Sequence, residues 1–123
     1  MSKKILFIED EETLQRALGD VLSQKGYEMI NAFDGEAGID ATRKQMPDLI
    51  LLDLVLPKKS GFEVLQILKE DPKTKSIPII VLTNLEGSED VERALTHGAT
   101  TYLVKANYGA HEVVSKIEGV LNR

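Results

Sequence analysis

Five short apolar runs, 5-ILFI-8, 28-EMIN-31, 49-LILL-52, 79-IIVL-82 and 101-TYLV-104, recur along the chain with helix-like segments between them. Runs such as LILL and IIVL carry no apolar–polar alternation, so a strand made from them must be covered on both faces. The intervening segments can supply the cover. In 13-TLQRALGDVLSQK-25, Leu14, Leu18, Val21 and Leu22 fall on one helical face, and Gly26 provides the stop. Asp34 is placed to cap a short helix carrying Ala37 and Ala41 that ends before Pro47. Ser60 with Glu63 forms a capping-box pattern ahead of Phe62, Leu65 and Leu68. Ser88 is expected to cap a helix with Val91, Ala94 and Leu95, closed by Gly98, and Val113, Val114, Ile117, Val120 and Leu121 stripe the last helix.

A strand–helix unit repeated five times predicts an α/β fold, a parallel sheet with helices on both sides. Right-handed crossovers make it doubly wound, and for five strands the flavodoxin-like order 2-1-3-4-5 leads. A Rossmann half is the alternative, but no Gly-rich fingerprint follows the first run. With 123 residues and no repeat, low-complexity stretch or linker, a single domain over residues 1–123 is expected.

Composition removes several classes of function. The chain has no cysteine, so disulfides and thiolate metal sites are excluded, and only His97 and His111 could offer imidazole. Both read as plain helix residues. A net charge of −5 argues against direct nucleic acid binding by this surface. The start, 1-MSKK-4, leads into only four apolar residues before 9-EDEE-12, too few for a signal peptide, and no run approaches membrane length. A cytoplasmic domain with no membrane partner is the expectation.

Asp53 raises the sharpest question, because it interrupts 49-LILLDLVLP-57 and a carboxylate among buried aliphatics loses its hydration. The strand reading answers it: Asp53 stands at the exit of the third strand, and 54-LVL-56 belongs to the following loop. Other strands exit in the same way. ILFI runs into Glu9 and Asp10, IIVL into Thr83 and Asn84, and TYLV into Lys105. In an open parallel sheet these exits share one edge, at the switch point where ligands bind. Any one such residue would ordinarily be a cap or a solvated turn. Together they form a charge-complementary set. Carboxylates about 5 Å apart repel by about 3 kcal/mol per pair at an effective dielectric of 20, a penalty that a cation removes. Hard oxygen ligands point to Mg²⁺. Lys105 is not needed to hold the metal, so an arriving anion explains it, and the set reads as a site for Mg²⁺ plus a phosphoryl group.

The segments 6-LFIEDEE-12, 49-LILLDLVLPKKSGFEVL-65, 79-IIVLTN-84 and 98-GATTYLVK-105, in this order and spacing, resemble a response-regulator receiver domain of two-component signalling, of the chemotaxis-regulator type. The similarity covers essentially the whole chain. It implies that Asp53 accepts a phosphoryl group from a sensor histidine kinase or phosphotransfer protein. It implies further that Asp10 binds Mg²⁺ directly, Glu9 does so through water, and the Val55 main-chain carbonyl is a ligand. Lys105 would contact the phosphoryl oxygens, and Thr83 and Tyr102 occupy the switch positions. Such a protein is a signalling phosphoacceptor rather than an enzyme acting on a separate substrate, and its output is contact with a downstream protein. The Thr83 hydroxyl can donate to a phosphoryl oxygen, and the space it leaves could be filled by the Tyr102 ring, coupling the site to the surface of the last strand and its flanking helices.

Two departures from the family pattern carry expectations. Val55 and Asn84 flank the phosphoryl pocket; an apolar Val55 offers nothing to guide a hydrolytic water, so autodephosphorylation should be slow. Ala106 stands where receivers usually place a proline after the lysine, so a trans Lys105–Ala106 bond is expected, with Asn107 as cap of the last helix. A haloacid-dehalogenase-type phosphatase would need a second Asp at position 55 and a cap domain. A degenerate receiver used only for binding is disfavoured because all five site positions are filled. Lys58 and Lys59 read as a solvated loop. The end at Arg123, directly after the last helix, leaves open a stand-alone regulator or a receiver cut from a longer chain.

Overall fold

The computed structural model describes residues 2–122. Each apolar run becomes a strand: β1 Lys4–Ile8, β2 Glu28–Ala32, β3 Leu49–Leu52, β4 Ile79–Thr83 and β5 Thr101–Val104. The helices are α1 Glu12–Gln24, α2 Gly35–Gln45, α3 Gly61–Glu70, α4 Ser88–Thr96 and α5 Ala110–Leu121. All strand pairs are parallel, in the order β2-β1-β3-β4-β5. This is the doubly wound, flavodoxin-like arrangement.

The sheet is covered twice, and the unbroken apolar runs divide between the two cores by strand periodicity. Leu6, Ile8, Ile50, Leu52, Ile79 and Val81 face a core completed by α2, α3 and Ala94 of α4. Ile5, Phe7, Leu49, Leu51, Ile80 and Leu82 face the other, completed by Leu18 and Leu22 of α1 and by Val113, Val114 and Ile117 of α5. Each fully buried aliphatic contributes about 1.5–3 kcal/mol relative to exposure, and the interiors of β1, β3 and β4 carry no polar residue, whereas the edge strand β2 leaves Asn31 exposed.

Most helix signals operate as read. Gly26 turns the chain out of α1 with φ +96, Asp34 accepts the Ala37 N–H at 2.8 Å, and Ser60 and Glu63 form the reciprocal box. Two caps differ. Ser88 is the first helical residue of α4 and Gly87 is the cap, with its carbonyl accepting from Asp90 and Val91 N–H. Glu89 and Asp90 put negative charge beside that helix start, so no capping side chain is required. Asn107 does not cap α5. It lies in a 3₁₀ turn, Lys105–Asn107, that follows β5 directly; Tyr108 and Gly109 are extended, and Glu112 reaches back to accept the Gly109 N–H at 3.0 Å. No cis peptide bond occurs among the described residues, so Lys105–Ala106 is trans.

Candidate functional site

β1 and β3 are adjacent in register, Ile8 beside Leu52, so the residues that follow them leave the sheet side by side. The Asp53 N–H still donates to Ile8 O at 3.0 Å and the Glu9 N–H to Ala32 O at 3.0 Å. Both side chains are thereby launched from ladder-held backbone. Glu9 is fully buried and Asp53 is 4% exposed. Asp10 stays exposed at the rim, and one carboxylate oxygen from each of Glu9, Asp10 and Asp53 lies within 4.8 Å of the others. Three hard oxygens that close could hold a divalent cation.

Lys105 enters from the exit of β5. Its ammonium donates to Asp53 Oδ2 at 2.9 Å and lies 2.6 Å from Glu9 Oε1 and 3.9 Å from Glu11 Oε2. The contact with Glu9 is a charge contact without hydrogen-bond alignment, so that buried oxygen keeps an unused acceptor. The other Glu9 oxygen accepts the Glu11 N–H at 3.0 Å, and Asp53 Oδ1 accepts the Val55 N–H at 3.2 Å.

Burial pushes the Glu9 carboxyl up to about 7, with the Asp53 charge adding to the rise and Lys105 and the Glu11 N–H opposing it. Burial by itself would lower Lys105, but Glu9 and Asp53 outweigh it and hold the ammonium above its ordinary range.

Above these groups opens a cleft of about 370 Å³ walled by Asp10, Glu11, Val55 and Asn84, with Glu9, Asp53 and Lys105 at its floor. Val55 is 58% exposed at the mouth. Thr83 ends β4 fully buried, and its hydroxyl only just accepts the Leu85 N–H, at 3.5 Å. Tyr102 on β5 packs against the α3-side core and donates its hydroxyl to Leu85 O at 2.8 Å. Burial, with Asp90 and Asp53 nearby, raises that phenol. The two residues thus meet the same short segment after β4. The structure brings Glu9, Asp10, Asp53, Val55, Asn84 and Lys105 to one cleft and leaves Thr83 and Tyr102 behind its wall.

Residues 5–118 match the response regulator receiver domain family. The chain belongs to it. Among relatives of this receiver domain, the phosphate regulon transcriptional regulatory protein PhoB of Klebsiella pneumoniae is 35% identical over 123 residues, which are 100% of this chain and 53% of PhoB. Response regulator PleD of Caulobacter vibrioides is 38% identical over 105 residues, 85% of this chain and 23% of PleD. The receiver domain therefore spans about half the length of PhoB and less of PleD. Among solved structures, the Mn(2+)-bound form of response regulator Rcp1 is 34% identical with TM-score 0.84, over 95% of this chain and 92% of that one. A CheY-like receiver domain protein from Methanospirillum hungatei superposes with TM-score 0.93 at 24% identity, over 99% of this chain and 95% of that one, which speaks to the fold alone.

Two residues of this receiver domain escaped the sequence reading. Gln15, 3% exposed, donates its amide to Phe7 O at 2.8 Å, Glu9 O at 3.1 Å and Ala32 O at 2.9 Å, tying the exits of β1 and β2 together beside Glu9. Its signal was present, because position 15 lies three residues before Leu18 and seven before Leu22, on the buried stripe. Glu11 joins the cleft wall only through the turn that begins α1.

Proposed function

We propose that this receiver domain accepts a phosphoryl group on Asp53, in Mg²⁺-dependent transfer from the phosphohistidine of a sensor histidine kinase or a phosphotransfer protein. The observation that carries the reading is the convergence on one floor of a buried Asp53, a cation bonded to it at 2.9 Å and two further carboxylates within 4.8 Å. An Asp53 oxygen forms the new P–O bond in line as the P–N bond to the donor imidazole breaks, and the electron pair returns to the ring nitrogen, which regains a proton from water. Bound Mg²⁺ would neutralise phosphoryl oxygens in this step. Asp10, Asp53 and the Val55 main-chain carbonyl would hold it directly and Glu9 through water. The protein's own part is positioning: the ladder fixes Asp53, and the Lys105 ammonium is already within reach of an oxygen attached to it.

The acceptor carries its own dephosphorylation slowly. Val55 at the mouth has no polar group to orient a water, and Asn84 narrows the same opening. Signalling follows from the loosely held Thr83 hydroxyl turning to a phosphoryl oxygen. Tyr102 fills the space behind it and gives up the Leu85 carbonyl, so the α4–β5–α5 surface changes for a downstream protein partner. The domain acts as a single unit over residues 1–123, in the cytoplasm, without direct nucleic acid contact of its own. No described helix is long and apolar enough to cross a membrane.

Incubation with Mg²⁺ and acetyl phosphate should raise the intact mass by one phosphoryl group, reversed by hydroxylamine and absent in Asp53→Asn or with a chelator. Labelling that survives in Asp53→Asn places the acceptor elsewhere.

A further inference from the structure

The segment that joins Asp53 to α3 turns on an unusual residue. Lys58 has φ +68, and the Lys59 N–H donates to Pro57 O at 2.8 Å across it. A hydrogen bond from the N–H of residue i+2 to the carbonyl of residue i around a positive φ is the rarer and more strained form of the γ-turn. Glycine would take it without strain, yet a lysine stands there. Such a backbone persists where its surroundings hold it.

The holder is the turn between β2 and α2. The Gly35 N–H donates to the same Pro57 O at 3.3 Å, and Asp34 Oδ2 lies 3.8 Å from Lys58 Nζ. A Cβ on residue 35 would meet the Lys59 carbonyl oxygen and stand 2.7 Å from Lys59 Cβ. Gly35 is therefore needed for space, not for backbone freedom. At the far end the Gly61 N–H donates to Leu54 O at 2.8 Å, and a Cβ there would press on the Asp53 carbonyl. Between these pins lies Val55, whose side chain is exposed and holds nothing.

We propose that Gly35 and the left-handed turn at Lys58 are positioning residues for the metal, fixing the Val55 carbonyl from the neighbouring β2–α2 turn. The proposal rests on the reading of that carbonyl as a Mg²⁺ ligand. Mg²⁺ demands near-octahedral geometry, so a carbonyl on an exposed loop serves it only if the loop is held. The charge of Lys58 is secondary, because its side chain is 61% exposed and the pair with Asp34 is loose.

The test is Mg²⁺ affinity, measured by titration calorimetry on folded full chain without phosphodonor. Gly35→Ala and Lys58→Val should each weaken binding about tenfold or more, the scale typical of groups that support a ligand. Lys58→Gly keeps the positive φ and should stay within about twofold of wild type. Gly19→Ala, where a Cβ meets nothing within 4 Å, is the control and should not change it. In metal-free protein, Gly35→Ala should also speed amide exchange at Lys59 and Gly61. Should Gly35→Ala fail to fold, the exposed Lys58 pair still decides. Equal affinity of Lys58→Gly and Lys58→Val, or a Gly35→Ala variant that loses stability but binds Mg²⁺ as wild type does, overturns the proposal while leaving the proposed function intact. A wild-type chain that binds no Mg²⁺ at all overturns the metal reading beneath it.

Discussion

Helices α3 and α4 follow adjacent strands and cover the same face of the sheet, yet they are held very differently. α3 buries Gly61, Phe62, Val64, Leu65 and Leu68 and starts in a reciprocal capping box. α4 buries only Ala94, has no side-chain cap, and leaves Leu95 47% exposed. What ties α4 down is peripheral: the Arg93 guanidinium sits 4.0 Å from the Phe62 ring centroid, and Tyr102 bonds the Leu85 carbonyl just ahead of the helix. The difference teaches a division of labour. In the proposed phosphoryl transfer the chain after β3 has to hold Asp53 still, because an in-line reaction depends on position. The chain after β4 is weakly held and can shift at small cost, and segments that move are drawn from that end of the stability range.

The largest contrast should appear on truncation. Leu65→Ala removes a fully buried side chain and should lower unfolding free energy by about 2–5 kcal/mol, whereas Leu95→Ala should change it by about 0.5 kcal/mol or less, both read by urea denaturation. Comparable losses at the two sites would erase the distinction between the helices.

A pH series sharpens it at the β1 and β3 exits. Glu9 is raised from 4.5 to about 7 in the folded state, chiefly by burial, so the native protein binds that proton more tightly than the unfolded chain. Stability of metal-free protein should therefore fall as pH rises from 4.5 towards 7 and level off above, by about 1–3 kcal/mol in all. Glu9→Gln should remove the slope and Mg²⁺ should flatten it. A slope that survives in Glu9→Gln would assign it to another group.

β1, β3, β4 and β5 and the polar residues at their exits were legible in the sequence because a run of mostly apolar residues gives way abruptly to a charged or hydroxyl residue, whereas β2 shows only a short, partly polar run. What stayed hidden depends on neighbours distant in sequence. Lys58 and Lys59 look like any solvated loop, and only the approach of Gly35 reveals a constrained turn. Gln15 becomes a tie only once the β1 and β2 exits lie beside it. The cap of α4 fell on Gly87 rather than Ser88 because a helix start carrying Glu89 and Asp90 needs no hydroxyl, a local competition that a capping preference alone does not decide. The cap of α5 shifted from Asn107 because the chain tightens into a 3₁₀ turn immediately after Lys105.

A smaller effect probes the tie itself. Arg93→Ala should cost about 0.5–1 kcal/mol at most, since the guanidinium is exposed, but should loosen α4 measurably in amide exchange. Exchange in α4 unchanged by the substitution would mean that the ring contact holds nothing.

The most direct test of this division of labour is amide hydrogen exchange, resolved by peptide, before and after stoichiometric phosphorylation with Mg²⁺ and acetyl phosphate. Residues 84–104, covering the segment after β4, α4 and β5, should change their exchange, while β1 and β3 keep theirs. A fully phosphorylated protein in which α4 and β5 exchange as before, or in which β1 and β3 change as much as they do, would contradict the account.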